Sequence, residues 1–167
     1  MKCSTKFLFM NDDYYFLRPL LFTDCAPFYE FDLKEQDKDW FELDTWHRSI
    51  GKTFNQLNKN GFTTFHFDGS HCPQPYNKYT FQKVMNFYDW KSDIGYTISN
   101  LYLNSVNLIS YCHIGKNKVS FRSSHSRNEV IEMALGKIYL NHNDAGLNEN
   151  LKSFLQESFP EPSRFEK

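Results

Sequence analysis

The sequence has few glycines, no long apolar run and no cysteine pair at metal-binding spacing, and each absence excludes a class of protein. Its seven glycines are not clustered, and it contains no P-loop, no G-x-G-x-x-G and no G-x-S-x-G motif. No apolar run approaches the roughly 20 residues of a membrane helix. The four cysteines are widely spaced and form no C-x-x-C pair, so we expect reduced thiols and no disulfide framework.

The first residues also lack the features of a secretory signal. Two lysines precede the apolar run Phe7–Met10, but Asn11 ends that run after four residues. A signal peptide needs about 7–15 apolar residues and a cleavage site of small residues. We therefore expect a cytoplasmic protein. Because the apolar runs are short and the glycine-rich motifs are absent, we also expect no membrane segment and no bound cofactor.

The composition favours one globular domain with a substantial core. The chain has 167 residues, of which 18% are aromatic, including 17 Phe and 10 Tyr. A chain of this length can bury most of its apolar surface around one core. We predict a single α+β domain over residues 1–160 and a frayed C-terminal tail over residues 161–167, where Pro160 and Pro162 interrupt regular structure.

The clearest predicted element is a long helix over residues 37–59. Its apolar residues recur at helical spacing, Asp37 is suited to the N-cap, and Gly61 is suited to the C-terminal stop. Gly51 destabilises the predicted helix by about 1 kcal/mol relative to alanine. Its presence therefore suggests that close packing at this position leaves no room for a larger residue. The apolar stripe consists of Trp40, Leu43, Trp46, Ile50, Phe54 and Leu57.

The remaining pattern predicts a mainly antiparallel sheet packed with this helix and with two C-terminal helices. One of those helices has its apolar face at residues 130–138 after a Ser126 cap, and the other at residues 147–155. A hairpin turn is expected at residues 115–117 between the last two strands. The predicted strands are residues 3–10, 14–22, 28–33, 62–67, 79–90, 96–103, 106–113 and 118–123.

The near-neutral net charge conceals an uneven distribution. Residues 11–44 contain ten carboxylates and three basic residues, whereas residues 45–127 have a net charge of +7. The acidic block is also rich in aromatic residues, and such a surface suits docking on a basic protein. Intramolecular neutralisation by residues 45–127 is the other explanation of the block. The predicted contact residues are Asp12, Asp13, Asp24, Glu30, Asp32, Asp37 and Asp39, with Tyr14, Tyr15 and Tyr29 as anchors.

The basic half suggests an alternative, a single-stranded nucleic-acid-binding protein. Cations alternate with aromatic residues there, and a sheet that presents both can stack bases. The ordinary interpretation is a sheet whose aromatic residues face the core and whose lysines face water. The residues concerned are Lys83, Phe87, Tyr88, Trp90, Lys91, Tyr111, Lys116, Lys118, Phe121, Arg122 and Arg127.

A metal-dependent hydrolase is a further alternative. Glu30-x-Asp32-x-Lys34 has the residue types of a metal-dependent nuclease, although the pattern arises easily in an acidic segment. A second possible ligand group is His66, His71 and Cys72, with Cys112-His113 far along the chain. His125 lies among serines, which we interpret as a polar turn and helix cap. We predict no metal site and no enzymatic activity.

The segment Trp46-His47-Arg48-Ser49-Ile50-Gly51, followed by Phe54 and Leu57, resembles a helix of some bacterial immunity proteins. These belong to contact-dependent growth inhibition and related polymorphic toxin systems. The resemblance covers about a dozen residues and implies a small cytoplasmic antitoxin that binds one toxin domain tightly and blocks its active site. Many such toxins are basic nucleases, for which an acidic surface would mimic the nucleic acid. It implies no catalytic residue.

Overall fold

The computed structural model describes residues 4–10, 13–22, 25–68, 72–89, 94–106, 111–112 and 117–161. Helices and strands both contribute in this part of the chain, so the protein has an α+β fold, as predicted. Contacts divide the chain into two compact units. Unit 1 comprises residues Met1–Phe9 and Leu21–Ile114, and unit 2 comprises residues Met10–Leu20 and Gly115–Lys167. The single domain over residues 1–160 stays a prediction.

The elements are numbered in chain order. The strands are β1 (Lys6–Phe9), β2 (Tyr14–Phe16), β3 (Phe28–Tyr29), β4 (Phe31–Asp32), β5 (His66–Phe67), β6 (Gln74–Asn77), β7 (Tyr111–Cys112), β8 (Lys118–Phe121) and β9 (Tyr139–His142). The helices are α1 (Lys38–Phe41), α2 (Thr45–Lys59), α3 (Lys78–Phe87), α4 (Ile98–Ser105), α5 (Arg127–Ala134) and α6 (Glu149–Ser158).

The strands of unit 1 form three separate pairs around its helices. β1 pairs with β6 and β4 with β5 in antiparallel ladders, whereas β3 pairs with β7 in parallel. The predicted strands 3–10 and 28–33 are therefore present in shortened form, and the prediction over 62–67 holds only for β5. The buried cluster contains Leu33, Ile50 and Leu57 together with the rings of Phe65, Phe67, Tyr76, Tyr88 and Tyr102.

Two segments of unit 1 that were predicted as strands are helices. The predicted strand 79–90 is α3 over most of its length, because the Asn77 side chain accepts hydrogen bonds from the backbone N–H groups of Tyr79 and Thr80 and so caps a helix. The predicted strand 96–103 is mainly α4, in which residues 100–104 are all buried. Because α4 has no exposed face over residues 100–104, its polar side chains Asn100 and Asn104 are buried as well, and its sequence does not show the usual amphipathic period.

The long predicted helix is two helices with a break at residues 42–44. Asp37 caps α1 by accepting from the Trp40 N–H, and Asp44 caps α2 by accepting from the His47 N–H, both at 2.9 Å. The two helices pack closely at Gly51, where a Cβ would lie 3.1 Å from the Phe41 Cβ. The predicted close packing at Gly51 is therefore confirmed.

Unit 2 is a three-stranded sheet with two helices. Its strand order is β2-β9-β8, and β9 pairs antiparallel with β2 and parallel with β8. Because β8 pairs with β9 and β7 with β3, the described strands do not form the hairpin predicted between residues 106–113 and 118–123. The central strand β9 was missed, and β2 is shorter than the predicted strand 14–22.

Both C-terminal helices begin at the side-chain caps typical of such positions. Ser126 and Glu129 form a capping box at α5, as predicted for Ser126, and the Asn148 side chain accepts from the Leu151 N–H at α6. Their inner faces join the β8 and β9 side chains in a core that contains Val119, Phe121, Val130, Ala134, Leu140, Leu151 and Leu155. Residues 162–167, most of the predicted tail, lie outside the described residues. Every helix in the described ranges is too short or too polar to span a bilayer.

Candidate protein-binding surface

The predicted contact residues that the structure describes are divided between the two units. Asp12 and Asp24 lie outside the described residues. The others divide between the two units: Asp13, Tyr14 and Tyr15 belong to unit 2, and Tyr29, Glu30, Asp32, Asp37 and Asp39 belong to unit 1. Each unit is therefore considered by itself.

In unit 2, Tyr15 takes part in a ring cluster. It lies on β2, and its hydroxyl is 3.3 Å from Nε2 of His142 on β9. Its ring also lies 5.8 Å from the His142 ring and 6.0 Å from the Phe159 ring. Tyr15 is half-buried and packs against the core of unit 2. These contacts give Tyr15 a structural role within its own unit.

In unit 1, Tyr29 and Asp32 meet at His66. The Tyr29 and His66 rings are stacked at 3.8 Å with an angle of 5° between their planes. The β4–β5 register places Asp32 opposite His66. Burial lowers the pKa of His66, and the negative charge of Asp32 partly offsets this effect. Of the predicted residues, these two are the ones the structure brings together around a common side chain.

One exposed feature of unit 1 that combines carboxylates with apolar side chains is the surface at the junction of α1 and α2. Its carboxylates are Asp39, Glu42 and Asp44, all of which are exposed. Leu43 and Trp46 lie among them with 64% and 49% of their surface exposed. Isolated exposed apolar residues are ordinary, but a leucine and a tryptophan within one acidic segment suit a protein-binding site. We call these five residues the α1–α2 surface.

Aromatic packing holds Trp46 in place. Its ring lies 5.0 Å from the His47 ring and 5.7 Å from the buried Phe67 ring, in edge-to-face arrangements. His47 is also 4.7 Å from the Trp40 ring. A tryptophan whose ring is already held by neighbouring rings loses little conformational entropy on binding, which is a property of interface anchors.

The α2 cap keeps the α1–α2 surface negatively charged. The Asp44 carboxylate accepts from the backbone N–H of His47, and Nδ1 of the same residue lies 2.9 Å away. The hydrogen bond from the His47 backbone, followed by the His47 side chain, lowers the pKa of Asp44. The carboxylate is therefore ionised at neutral pH, and it is oriented by the helix that it caps.

The nuclease-like motif has local structural roles in unit 1. The Asp32 carboxylate accepts from the Lys34 N–H and caps a short 3-10 turn at Leu33–Glu35. The Lys34 ammonium donates to the Thr63 carbonyl and lies 4.5 Å above the Phe65 ring. In the part of the chain that the structure describes, no three His, Cys, Asp or Glu side chains are placed to hold a metal ion. His71 and His113 lie outside that part.

The basic aromatic sheet of the nucleic-acid alternative is not formed as predicted. Lys83, Phe87 and Tyr88 lie on or next to helix α3, and the Tyr88 ring is buried. In unit 2 the Phe121 ring is buried, and Arg127 pairs with Glu157 and packs on the Phe154 ring. Trp90, Lys91 and Lys116 lie outside the described residues. The described cations and rings therefore do not alternate across one exposed sheet.

The sequence did not indicate that Leu43 and Trp46 are exposed. Both fit the apolar stripe of one continuous helix, which would have placed them toward the core. The signal that reveals the break is Asp44, a favoured N-cap residue that precedes Thr45 and the new helical turn. Family models gave no match to the chain, and neither did the curated proteins.

Proposed function

We propose that the protein is a non-enzymatic binding protein that uses the α1–α2 surface to dock on a basic partner protein. The observation that supports this most directly is the exposure of Leu43 and Trp46 among three carboxylates. The two apolar side chains supply contact area, and the carboxylates accelerate the approach of a cationic partner. The structural roles of Asp32 and Lys34 favour binding over catalysis.

The partner that we propose is a bacterial toxin domain, which the protein would neutralise as an immunity protein in the cytoplasm. The resemblance of residues 46–57 supports this more specific function, since the segment includes Trp46 of the α1–α2 surface. A toxin that acts on nucleic acid carries a basic cleft, and an acidic surface with an aromatic anchor can occupy it. Asp37, the α1 cap, adds negative charge beside this surface.

The gene context and a growth assay test this function. We expect a gene for a large secreted toxin next to the gene for this protein. Expression of its toxin domain in a bacterium should stop growth, and co-expression of this protein should restore it. Leu43→Ala/Trp46→Ala should abolish protection, whereas Ile131→Ala/Leu135→Ala, which shortens two exposed side chains on and just after α5, should retain it. Full protection by the first variant would contradict the assignment of the surface.

Association kinetics test the electrostatic part of the proposal with the same toxin domain. Asp39 and Glu42 are suitable for charge reversal, because neither is the side-chain cap of α1 or α2. At low salt, Asp39→Lys/Glu42→Lys should reduce the association rate constant by about tenfold, and at high salt much less. Glu132→Lys/Asp144→Lys in unit 2 is the matched control. Equal association rates for the two variants would exclude steering by the α1–α2 surface.

A further inference from the structure

Unit 1 also contains an open groove along helix α2, separate in its chemistry from the α1–α2 surface. The groove has a volume of about 840 Å³, within the range typical of small-molecule sites. Residues of α1, α2 and the segment that precedes α4 line it. Gly51 forms part of its wall, and the close approach of Phe41 at that glycine brings α1 against α2.

The charge of the groove lining is predominantly positive. Arg48, Lys52 and Lys59 lie at positions i, i+4 and i+11 of α2, so they follow one face of the helix over about 16 Å. Lys38 adds a cation from α1, and Glu42 is the carboxylate in the described lining. In the described residues Lys38, Arg48 and Lys59 form no ion pair with a carboxylate. Lys38, Arg48 and Lys59 can therefore contact an anionic ligand, and Lys52 adds positive charge between Arg48 and Lys59.

Aromatic rings also line the groove. Phe41 and Phe54 are stacked at 5.6 Å with 14° between their planes, and both line the groove. The Lys52 ammonium lies 4.2 Å above the Tyr96 ring and donates to the Ile94 carbonyl. A groove with flat apolar surfaces and a row of cations suits a ligand that has both a planar ring and phosphates.

The surrounding charge favours a short ligand. Gln36 and Lys38 line the groove, but the residues interleaved with them, Glu35, Asp37 and Asp39, are exposed carboxylates. A long polyanion that extended past α1 would meet these three carboxylates as well as Glu42, whereas a ligand that fits inside the groove would meet Glu42 alone of these four. The volume of the groove and the adjacent carboxylates thus both favour a small anionic ligand over a long polyanion.

We propose that this groove binds a nucleotide, whose phosphates lie along Arg48, Lys52 and Lys59 and whose base contacts the Phe41 and Phe54 rings. This assignment uses a different set of cations from the nucleic-acid interpretation of the sequence. It also does not depend on the protein-binding role of the α1–α2 surface. The groove would give the protein a small-molecule ligand in addition to its protein partner.

Fluorescence titration of the full chain with methylanthraniloyl derivatives of ATP and GTP tests the proposal. We expect saturable binding of at least one of them at low salt. Arg48→Gln/Lys59→Gln should weaken it by about tenfold, since both side chains are at the groove and each contributes a charge-assisted contact. Lys83→Gln/Arg122→Gln removes one lysine and one arginine that do not line the groove, and it should leave the affinity unchanged. Thermal denaturation verifies that both variants are folded.

Competition experiments distinguish the ligand class. Inorganic tripolyphosphate should displace the fluorescent nucleotide much less effectively than unlabelled nucleotide, because it lacks the ring. Equal displacement would overturn the nucleotide assignment, as would tighter binding of a labelled single-stranded oligonucleotide than of either nucleotide. The absence of saturable binding of both nucleotides, or equal affinity of the groove and control variants, would overturn the site itself.

Discussion

The two units of the chain are stabilised in different ways. Half of the buried cluster in unit 1 is aromatic, whereas the described cluster of unit 2 is aliphatic apart from Phe121. In unit 1, buried amide side chains on α4 and β6 bond to the backbone at short strands, whereas unit 2 has a continuous three-stranded sheet. The difference shows that unit 1 compensates for minimal strand pairing with specific side-chain contacts.

The amides of Asn100, Asn104 and Gln74 illustrate this compensation. Asn104 accepts from the His66 N–H at 2.6 Å and donates to the His66 carbonyl at 2.7 Å, so it acts as a backbone partner for β5. Asn100 accepts from the Asp68 N–H, and Gln74 bonds to both backbone groups of Phe28. Buried backbone groups must be paired, and here side chains on α4 and β6 pair them.

The largest expected effect is a loss of stability in unit 2 from Gly146→Ala. A Cβ at this position would lie 2.0 Å from the Phe121 carbonyl oxygen, and backbone cannot move as a flexible side chain can. We expect the free energy of unfolding to fall by about 3 kcal/mol, measured by urea denaturation. Hydrogen exchange of the β8 and β9 amides should accelerate.

Gly95→Ala is the control for this substitution, since none of the residues that the structure describes lies within 4 Å of a Cβ there. Equal stability of Gly146→Ala and Gly95→Ala would show that the close approach of Gly146 to the Phe121 backbone does not limit the stability of unit 2.

A smaller effect should distinguish bridging amides from helix caps. Asn104→Ala leaves two His66 backbone groups without their partner and should lower the free energy of unfolding by about 2 kcal/mol. Ser126→Ala in unit 2 removes a helix cap and should lower it by about 1 kcal/mol. Chemical denaturation of both variants measures the difference. A larger loss for Ser126→Ala would contradict the role assigned to the amides of unit 1.

The smallest expected effect is a pH dependence specific to His66 in unit 1. Burial lowers its pKa in the folded protein below the ordinary value of 6.5, so below that pH the unfolded chain binds the proton more readily. The free energy of unfolding should therefore decrease as the pH falls through 6.5 and level off below the lowered pKa.

Urea denaturation at about pH 7.5 and about pH 5.5 measures this dependence. His66→Gln should reduce the loss of stability at the lower pH, while the backbone bonds to Asn104 remain possible. An identical pH dependence in the variant would show that burial of His66 does not contribute.

The sequence predicted the helices of unit 2 correctly, whereas it predicted strands where unit 1 has helices α3 and α4. The caps and apolar faces of α5 and α6 are local features, so their helices were predicted correctly. The strand β9 was missed because its residues extend the apolar pattern of α5 and lie next to a turn-rich segment. Its role as the central strand depends on pairing with β2, more than a hundred residues away in the chain.

In unit 1, aromatic residues misled the prediction. Rings have high strand propensity, and α3 contains three of them and α4 contains Tyr102, yet the Asn77 cap of α3 and the burial of α4 favour helices there. The candidate surface was predictable in its charge, since Asp39 belongs to it and Asp37 caps α1 beside it. Its apolar anchors were not, because exposure of Leu43 and Trp46 depends on the break that Asp44 introduces.

The absence of a side-chain carbon at Gly51 affects which substitutions this part of the sequence can accept. Helix α1 presents Asp39 to the α1–α2 surface and Lys38 and Phe41 to the groove, and its position depends on close contact at Gly51. A Cβ at residue 51 would require the Phe41 side chain to give by a few tenths of an ångström, so a substitution there acts on the α1–α2 surface and on the groove at once. Substitutions of Asp39 and Lys38 each change one of the two surfaces, so these positions can vary independently of each other, whereas a change at residue 51 cannot be confined to one surface.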